Sequence, residues 1–308
     1  MRLLIIGARG YLGAHVRSQA QAAGMDVVTA GRSGPCRLDL ADGPARVAAV
    51  IAAAAPDAVV NCAGATAGPD LVTANLTGTH ALTEAMLRMG PGRLVHLGSA
   101  AEYGPAAVPV SECIPARPTS LYGITKLAGT RFVELAAAAG LDAAVLRVFN
   151  PVGPGAPPTS LPGKLAADLK AALRLGTDVR LGSLDAVRDF VDTRDVADAV
   201  IAAVCVPALP HAVLNIGSGR GVPVRSVVKQ LIAISGYQGP VLENTMLENP
   251  VLETTVLENP GQQDAQGPAR SADVPWQQAD ITRAAEDLGW TPQRDLVTSL
   301  TDLWEAAP

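Results

Sequence analysis

Tyr122 and Lys126 stand four residues apart in Leu121-Tyr122-Gly123-Ile124-Thr125-Lys126. That spacing puts both side chains on one face of a helix. A phenol with an ordinary pKa of ~10 is a poor proton donor or acceptor at neutral pH. A cation held beside it stabilises the phenolate and draws its titration toward the working range, where it serves as a general acid or base. Ser99, two residues beyond the apolar run Arg93–Leu97, adds a hydroxyl that would orient and polarise a carbonyl or alcohol oxygen. Tyr-x-x-x-Lys alone recurs by chance as a surface pair; with Ser99 upstream and a glycine loop at the start of the sequence it is far more specific.

That loop is Gly7-Ala8-Arg9-Gly10-Tyr11-Leu12-Gly13, which follows the apolar run Leu3–Ile6 and opens a segment of helical length. Glycines let the backbone turn tightly and approach a pyrophosphate, which then lies at the positive end of the helix. A dinucleotide site built on Gly7, Arg9, Gly10, Tyr11, Leu12 and Gly13 is expected. The next strand ends in Thr29-Ala30-Gly31-Arg32-Ser33, where an NAD-preferring protein carries an acid for the ribose hydroxyls. No carboxylate is present there. Arg32 with Arg9 would hold a 2′-phosphate by forked hydrogen bonds, which points to NADP(H) rather than NAD(H). The plainer alternative for Arg32 is a solvated loop residue. Asp39, followed by Leu40, is placed to meet the adenine amino group. Ala63 and Gly64 are small enough for the backbone to line the cofactor, and Phe149 ends a later strand on the same side. Beside a nicotinamide ring, Tyr122 gains a second positive neighbour and Lys126 a ribose hydroxyl to bond.

These residues need elements to position them. Strand-length runs Leu3–Ile6, Asp26–Ala30, Ala58–Asn61, Arg93–Leu97 and Ala143–Phe149 alternate with the helical stretches Leu12–Ala23, Ala45–Ala55, Leu71–Met89 and Leu121–Ala139. The alternation predicts an α/β fold, a Rossmann-type doubly wound parallel sheet with helices on both faces. Ligands bind such sheets beyond the carboxyl ends of the strands, where the motifs above fall. Pro151, Pro154, Pro157, Pro158 and Pro162 argue against regular helix or ladder between them. The chain is expected to cross there into a smaller α/β substrate-binding region. The division assigns residues 1–150 and 178–216 to the dinucleotide-binding domain, and 151–177 with 217–308 to the substrate region. Segments 241–250 and 251–260 match at eight of ten positions and read as a duplicated surface insertion, or as a lid or subunit contact.

At 308 residues, 48% hydrophobic but only 3% aromatic, the chain has an ample core of Ala, Val and Leu. A net charge of −5 with no basic run leaves no footprint for nucleic acid or a membrane surface. No stretch reaches the roughly 18 apolar residues of a membrane span. The apolar start is too short for a signal peptide and reads as a strand. Cys36, Cys62, Cys113 and Cys205 show no C-x-x-C pairing, as expected of thiols in a reducing cytoplasm, and no metal site is expected.

On these motifs the chain resembles the extended short-chain dehydrogenase/reductases, the group of nucleotide-sugar epimerases, dehydratases and reductases. The likeness spans nearly the whole length apart from the repeat. Asn75-Leu76-Thr77-Gly78-Thr79 resembles the group's helix after the fourth strand. Arg147-Val148-Phe149-Asn150-Pro151-Val152-Gly153-Pro154-Gly155 resembles its substrate turn, which implies that Asn150 contacts a nucleotide diphosphate. Arg188-Asp189-Phe190-Val191-Asp192-Thr193-Arg194-Asp195-Val196 and the later Arg270 resemble its diphosphate-contacting segments, and two arginines suit a pyrophosphate. A surface ion pair is the simpler alternative for each.

The resemblance places Ser99, Ala100 and Tyr122 against the substrate. Sugar 4,6-dehydratases of the group carry an Asp–Glu pair directly after the catalytic Ser/Thr; Ala100 and Ala101 stand there, with Glu102 displaced by one residue. Dehydration is therefore not expected. The 4-epimerases commonly hold NAD with an acid after the second strand, which is absent. Gly98-Ser99-Ala100-Ala101-Glu102-Tyr103-Gly104 and Arg270-Ser271-Ala272-Asp273-Val274-Pro275 are similar to 4-keto reductases acting on GDP-4-keto-6-deoxy-mannose. The resemblance implies NADPH-dependent reduction of a keto group on a nucleotide-linked sugar, with a sugar epimerase or a reductase of a non-sugar carbonyl as alternatives. It also implies a homodimer formed through Leu71–Met89 and Leu121–Ala139.

Overall fold

The computed structural model describes residues 1–33, 36–90, 92–243 and 274–308. The chain runs β1 (Arg2–Ile6), α1 (Tyr11–Ala22), β2 (Asp26–Gly31), β3 (Cys36–Arg37), α2 (Pro44–Ala54), β4 (Ala58–Asn61), α3 (Asp70–Val72), α4 (Gly78–Met89), β5 (Arg93–Ser99), α5 (Leu121–Ala138) and β6 (Ala143–Val148). It continues through β7 (Pro151–Val152), α6 (Leu161–Leu175), β8 (Val179–Leu181), β9 (Val187–Asp189), β10 (Val191–Asp192), α7 (Thr193–Cys205) and β11 (Val213–Ile216). β12 (Gly221–Pro223), α8 (Val224–Ser235), β13 (Val241–Glu243), α9 (Thr282–Leu288) and α10 (Leu296–Ala306) complete it.

Seven strands form one parallel sheet in the order β11-β6-β5-β4-β1-β2-β3. Both faces are covered, so Leu3, Leu4, Ile5 and Ile6 are all buried, and successive side chains simply enter opposite layers. Leu3 and Ile5 pack with Val16 of α1 and Val196 and Val200 of α7. Leu4 and Ile6 pack with Val47 of α2 and Leu82 and Met86 of α4. A third cluster joins Leu165 and Leu169 of α6, Val227 and Leu231 of α8, and Leu300 and Leu303 of α10. Strand order reverses at β1, which has β2 on one side and β4 on the other. Crevices at such reversals are where doubly wound sheets take ligands. The expected fold class is the observed one.

Two local expectations change. Leu71–Met89 is not one regular helix, because a π-helical turn, Thr73–Thr77, separates α3 from α4. Its Asn75 side chain bonds the Ala65 main chain on both its N–H and its carbonyl, at 2.9 and 2.8 Å, and the helix accommodates that reach by widening. The proline-rich stretch also carries regular structure. Pro151 and Val152 pair with Val191 and Asp192, and Pro162 sits in the first turn of α6, where its missing N–H would have had no helical partner. Val241–Glu243 of the repeat pair with β8. Residues 244–260 and Arg270 lie outside the described residues.

The acids of the 188–196 motif hold the fold together. Asp189, fully buried, accepts from Ser218 N–H and Oγ–H (2.6 and 2.7 Å) and from the N–H groups of Gly219 and Ala279 (both 3.0 Å). Burial pushes its carboxyl up, and those donors act against the rise. Asp192 caps α7 and accepts from Ser299 Oγ, while Asp195 takes the N–H groups of Gln293 and Arg294.

Glu102 is a structural residue, not a displaced dehydratase acid. It is 0% exposed and its oxygens accept from Ser99 N–H (2.8 Å), Thr130 Oγ (2.8 Å) and Arg147 Nε (2.7 Å). The Ser-x-x-Glu capping box closes the turn that follows β5. Arg147, itself buried, lies 4.6 Å from the centre of the Tyr103 ring. Replacing Glu102 with Ala strands that guanidinium in the core. We expect a loss of about 3–5 kcal/mol in the free energy of urea unfolding; a loss below about 1 kcal/mol would contradict this account.

Candidate active site

The loop between β1 and α1 is shaped by contacts that exclude side chains. Gly7 has φ +81°, and a Cβ there would stand 2.7 Å from the Ala63 nitrogen. A Cβ on Gly13 would stand 2.2 Å from the Gly7 oxygen. The turns after β1 and β4 are thereby pressed together, with the Ala63 N–H donating to Asn61 Oδ1 at 3.0 Å and Gly64 exposed. α1 starts at Tyr11, its N-cap Gly10 offers no side chain, and no acid occupies its first turn. The first N–H groups of a helix so arranged suit phosphate oxygens. Tyr11 and Leu12 are half-buried. The Tyr11 hydroxyl donates to the Gly153 carbonyl at 3.3 Å, which lays the turn after β7 on α1. This cradle fits a dinucleotide.

At the β2 side of the crevice, Arg9 is exposed and donates to Ser33 Oγ at 3.0 Å. Arg32, 71% exposed, pairs with Asp70 at 2.6 Å. The Asp39 carboxylate accepts from Ala41 N–H at 3.0 Å, starting a short 3-10 turn, and Leu40 is buried in the α2–α4 layer. Phe149 is fully buried beside Tyr103, Val110 and Ala279, so its side chain serves the core and leaves only main chain for a ligand.

Ser99 ends β5. Its Oγ accepts from Ala101 N–H at 3.2 Å, which leaves the hydroxyl proton for another oxygen. α5 is capped by Ser120 and passes close over this turn, because a Cβ on Gly123 would lie 2.4 Å from the Ala101 oxygen. The packing sets the first turns of α5 above the end of β5. Tyr122 is half-buried in the first turn, and its carbonyl accepts from Thr125 Oγ at 2.9 Å. Lys126 is buried and donates from Nζ to the Leu97 carbonyl. Burial lowers its pKa, opposed by the charge of Glu102 nearby. Ser99, Tyr122 and Lys126 are thus brought to one strand end.

Several supporting groups escaped the sequence reading. Asn61 Nδ2 lies 3.0 Å from Nδ1 of the buried His96, whose pKa is pushed well below the usual value by burial and then by Lys126, keeping the ring neutral. Asn75 Nδ2 also reaches Thr125 Oγ at 3.1 Å, tying the π turn to α5. Asn61 and His96 were visible as polar interruptions of apolar strands; Asn75 lay inside a segment read only for its resemblance. Gln277 reaches from beyond the repeat to the carbonyl of the buried Ala100, at 2.9 Å. Of the expected diphosphate contacts, half-buried Asn150 donates to the Asp189 carbonyl at 2.8 Å, and Arg188 is buried on β9 with Nη1 2.9 Å from the Val187 carbonyl. Burial lowers the Arg188 pKa.

A cavity of about 660 Å³ lies at the opposite, amino-terminal end of the strands, beside Met1, Met86, Arg93, Asp142 and Val204. Arg93 there bonds Asp142 and the carbonyls of Ala203 and Val204, and no proton-transfer set faces it.

Residues 3–217 match the profile of the NAD dependent epimerase/dehydratase family. A dTDP-6-deoxy-L-talose 4-dehydrogenase (NAD(P)(+)) of Kitasatospora kifunensis is 37% identical, over 99% of this chain and 95% of its own length. A UDP-glucose 4-epimerase of Streptomyces lividans is 32% identical, over 75% of this chain and 67% of its own length. The solved structure of MoeE5 with UDP-glucuronic acid and NAD is similar with a TM-score of 0.82 at 28% identity, covering 99% of this chain and 98% of that one. RMD from Pseudomonas aeruginosa, solved with NADPH, shares the fold at a TM-score of 0.80 and 23% identity, with coverage of 99% and 98%. The family match takes in all seven strands of the main sheet, and the chain is therefore a member of the NAD dependent epimerase/dehydratase family, an enzyme of the extended short-chain dehydrogenase/reductase type.

Proposed function

We propose that the enzyme reduces the keto group of a nucleotide-linked 4-keto-6-deoxy sugar, using NADP(H) in preference to NAD(H). The observation that carries this reading is the Ser99–Tyr122–Lys126 set at the end of β5 with no acid–base carboxylate next to it among the described residues. Ala100 and Ala101 follow the serine, and Glu102 is engaged by Arg147, Thr130 and Ser99 N–H. The relative from K. kifunensis, named as a deoxysugar 4-dehydrogenase, supports the same carbon and the same redox step read in reverse.

A bound nicotinamide supplies the hydride. Ser99 donates its hydroxyl proton in a hydrogen bond to the keto oxygen, since its lone pair already accepts from Ala101. Tyr122 transfers its proton to that oxygen as the alcohol forms. The Lys126 cation stabilises the phenolate left behind, and its remaining N–H groups hold the nicotinamide ribose. Asn150, Arg188 and Arg270 anchor the diphosphate, Ala100 packs against the sugar, and Arg32 with Arg9 holds the 2′-phosphate. Residues 151–177 and 217–308 form the substrate-covering region, with an apolar cluster of α6, α8 and α10 that also takes in Val179, Leu181, Leu184 and Phe190 from the 178–216 segment.

A second reading, a sugar 4-epimerase, is favoured by the relative from S. lividans. The two readings differ in net chemistry, since an epimerase consumes no reducing equivalent and retains its cofactor.

We further propose a homodimer through α4 and α5. Leu121, Ile124 and Leu135 recur at helical spacing on α5 and stay exposed, Leu135 at 67%, and Leu87 of the neighbouring α4 is exposed as well.

NADPH absorbance should fall when the protein meets one of a small panel of nucleotide-linked 4-keto-6-deoxy sugars. Sugar interconversion with no net loss of NADPH would move the assignment to the epimerase. In Tyr122→Phe, kcat should fall at least about a hundredfold while the NADPH dissociation constant stays within about twofold; unchanged turnover would remove Tyr122 from the mechanism. Analytical ultracentrifugation should show a dimer that Leu135→Glu converts to monomer, and a monomeric parent would refute the interface.

A further inference from the structure

Arg32 and Asp70 belong to connections that leave different strands. Arg32 directly follows β2, whereas Asp70 opens α3 in the connection from β4. These strands flank β1 on its two sides, so the ion pair at 2.6 Å joins the two walls of the crevice whose floor is the Gly7–Gly13 loop. Both partners are solvent-accessible, at 71% and 53%. No residue of 29–33 is acidic. The carboxylate missing from the end of β2 is supplied from the far wall instead.

We propose that Asp70 is a specificity-determining residue for the dinucleotide, which tempers the preference of Arg32 for a 2′-phosphate and lets the site accept a 2′-hydroxyl as well. The proposal rests on the reading that Arg32 faces the 2′ position of the adenosine ribose. A ribose hydroxyl is both donor and acceptor, and the pair presents one of each, a carboxylate and a guanidinium. A 2′-phosphate offers only acceptor oxygens at neutral pH. It competes with Asp70 for the forked donors of Arg32 and meets the carboxylate as a like charge. Asp39 adds a further negative field at Arg32. The contact uses one Nη1–H of the guanidinium, so Arg32 can turn its other edge to an anion without leaving the crevice. An exposed pair of this kind holds its arginine back by a factor of about two to five, enough to adjust a cofactor preference without abolishing it.

The test is direct titration of the full-length protein with NADPH and with NADH, followed by nicotinamide fluorescence at fixed ionic strength. Asp70→Asn should tighten NADPH about two- to fivefold and weaken NADH about twofold or more, while Asp70→Glu should keep the parental ratio. Arg32→Gln should weaken NADPH about tenfold or more, and Asp70→Asn added to it should tighten NADPH less than it does in the parent, since only the like-charge repulsion is then relieved. An unchanged NADPH/NADH affinity ratio in Asp70→Asn, with Arg32→Gln behaving as expected, overturns the role of Asp70 and leaves the Arg32 clamp standing. No loss of NADPH affinity in Arg32→Gln removes the clamp and this proposal together. Both side chains are exposed, so thermal midpoints of the variants should match the parent, which separates a binding effect from a folding one.

Discussion

The carboxylate of Glu102 is the constraint on which the catalytic geometry depends. One oxygen holds the Ser99 N–H at the end of β5, and the other holds Thr130 of α5 and Arg147 of β6. The elements that carry Ser99, Tyr122 and Lys126 are therefore joined through a single buried anion. Burying it is unfavourable unless it is paired and hydrogen-bonded, and here two neutral donors and a guanidinium do so. The network extends further. Arg147 stacks on Tyr103, the Tyr103 hydroxyl donates to Asn215 Oδ1 on β11 at 2.7 Å, and Asn215 N–H donates to Glu112 at 2.7 Å. A hydroxyl that must meet a reacting oxygen within a few tenths of an ångström benefits from such a mount, because loosening at any member would be felt at Ser99.

Around that mount the site is assembled by close approach. Gly7 against Ala63, Gly13 against Gly7 and Gly123 against Ala101 each leave no room for a methyl group. The first presses the turn after β1 against the turn after β4, the second folds the loop onto itself, and together they present the bare start of α1 to phosphate oxygens. The third lowers α5 onto the turn after Ser99. The glycine loop and the Tyr–Lys helix are separate devices in sequence, yet both work by letting main chain stand where a side chain would otherwise keep it away.

The Arg188–Val196 stretch shows how one motif divides its labour. Asp189, Asp192 and Asp195 point to three different partners, Ser218–Gly219 with Ala279, Ser299 with the α7 amino terminus, and Gln293–Arg294. Each fastens a later part of the chain to β9, β10 or α7. The described elements after β11 are thus held in place by buried carboxylates as well as by the apolar cluster they share with α6 and β8.

The alternation of apolar runs and Ala-rich stretches determined the doubly wound sheet, since period and length depend on local chemistry alone. Gly7–Gly13, Ser99, Tyr122 and Lys126 were legible for the same reason: each motif is local, with a spacing that only one turn or one helix face explains. What lay beyond the sequence was every choice of partner across distance. Nothing in Glu102 distinguishes a displaced acid from a buried anchor until Arg147 and Thr130 are folded onto it. Asp70 carries no sign of its pairing with Arg32, nor Gln277 of its hold on Ala100. The π turn at Asn75 is invisible to a helical pattern because its cause is the main chain of Ala65, ten residues earlier in the loop that leaves β4. Local propensity sets which elements form, whereas the pairing of buried charges and polar groups is settled only when tertiary packing removes water and leaves each group one available partner.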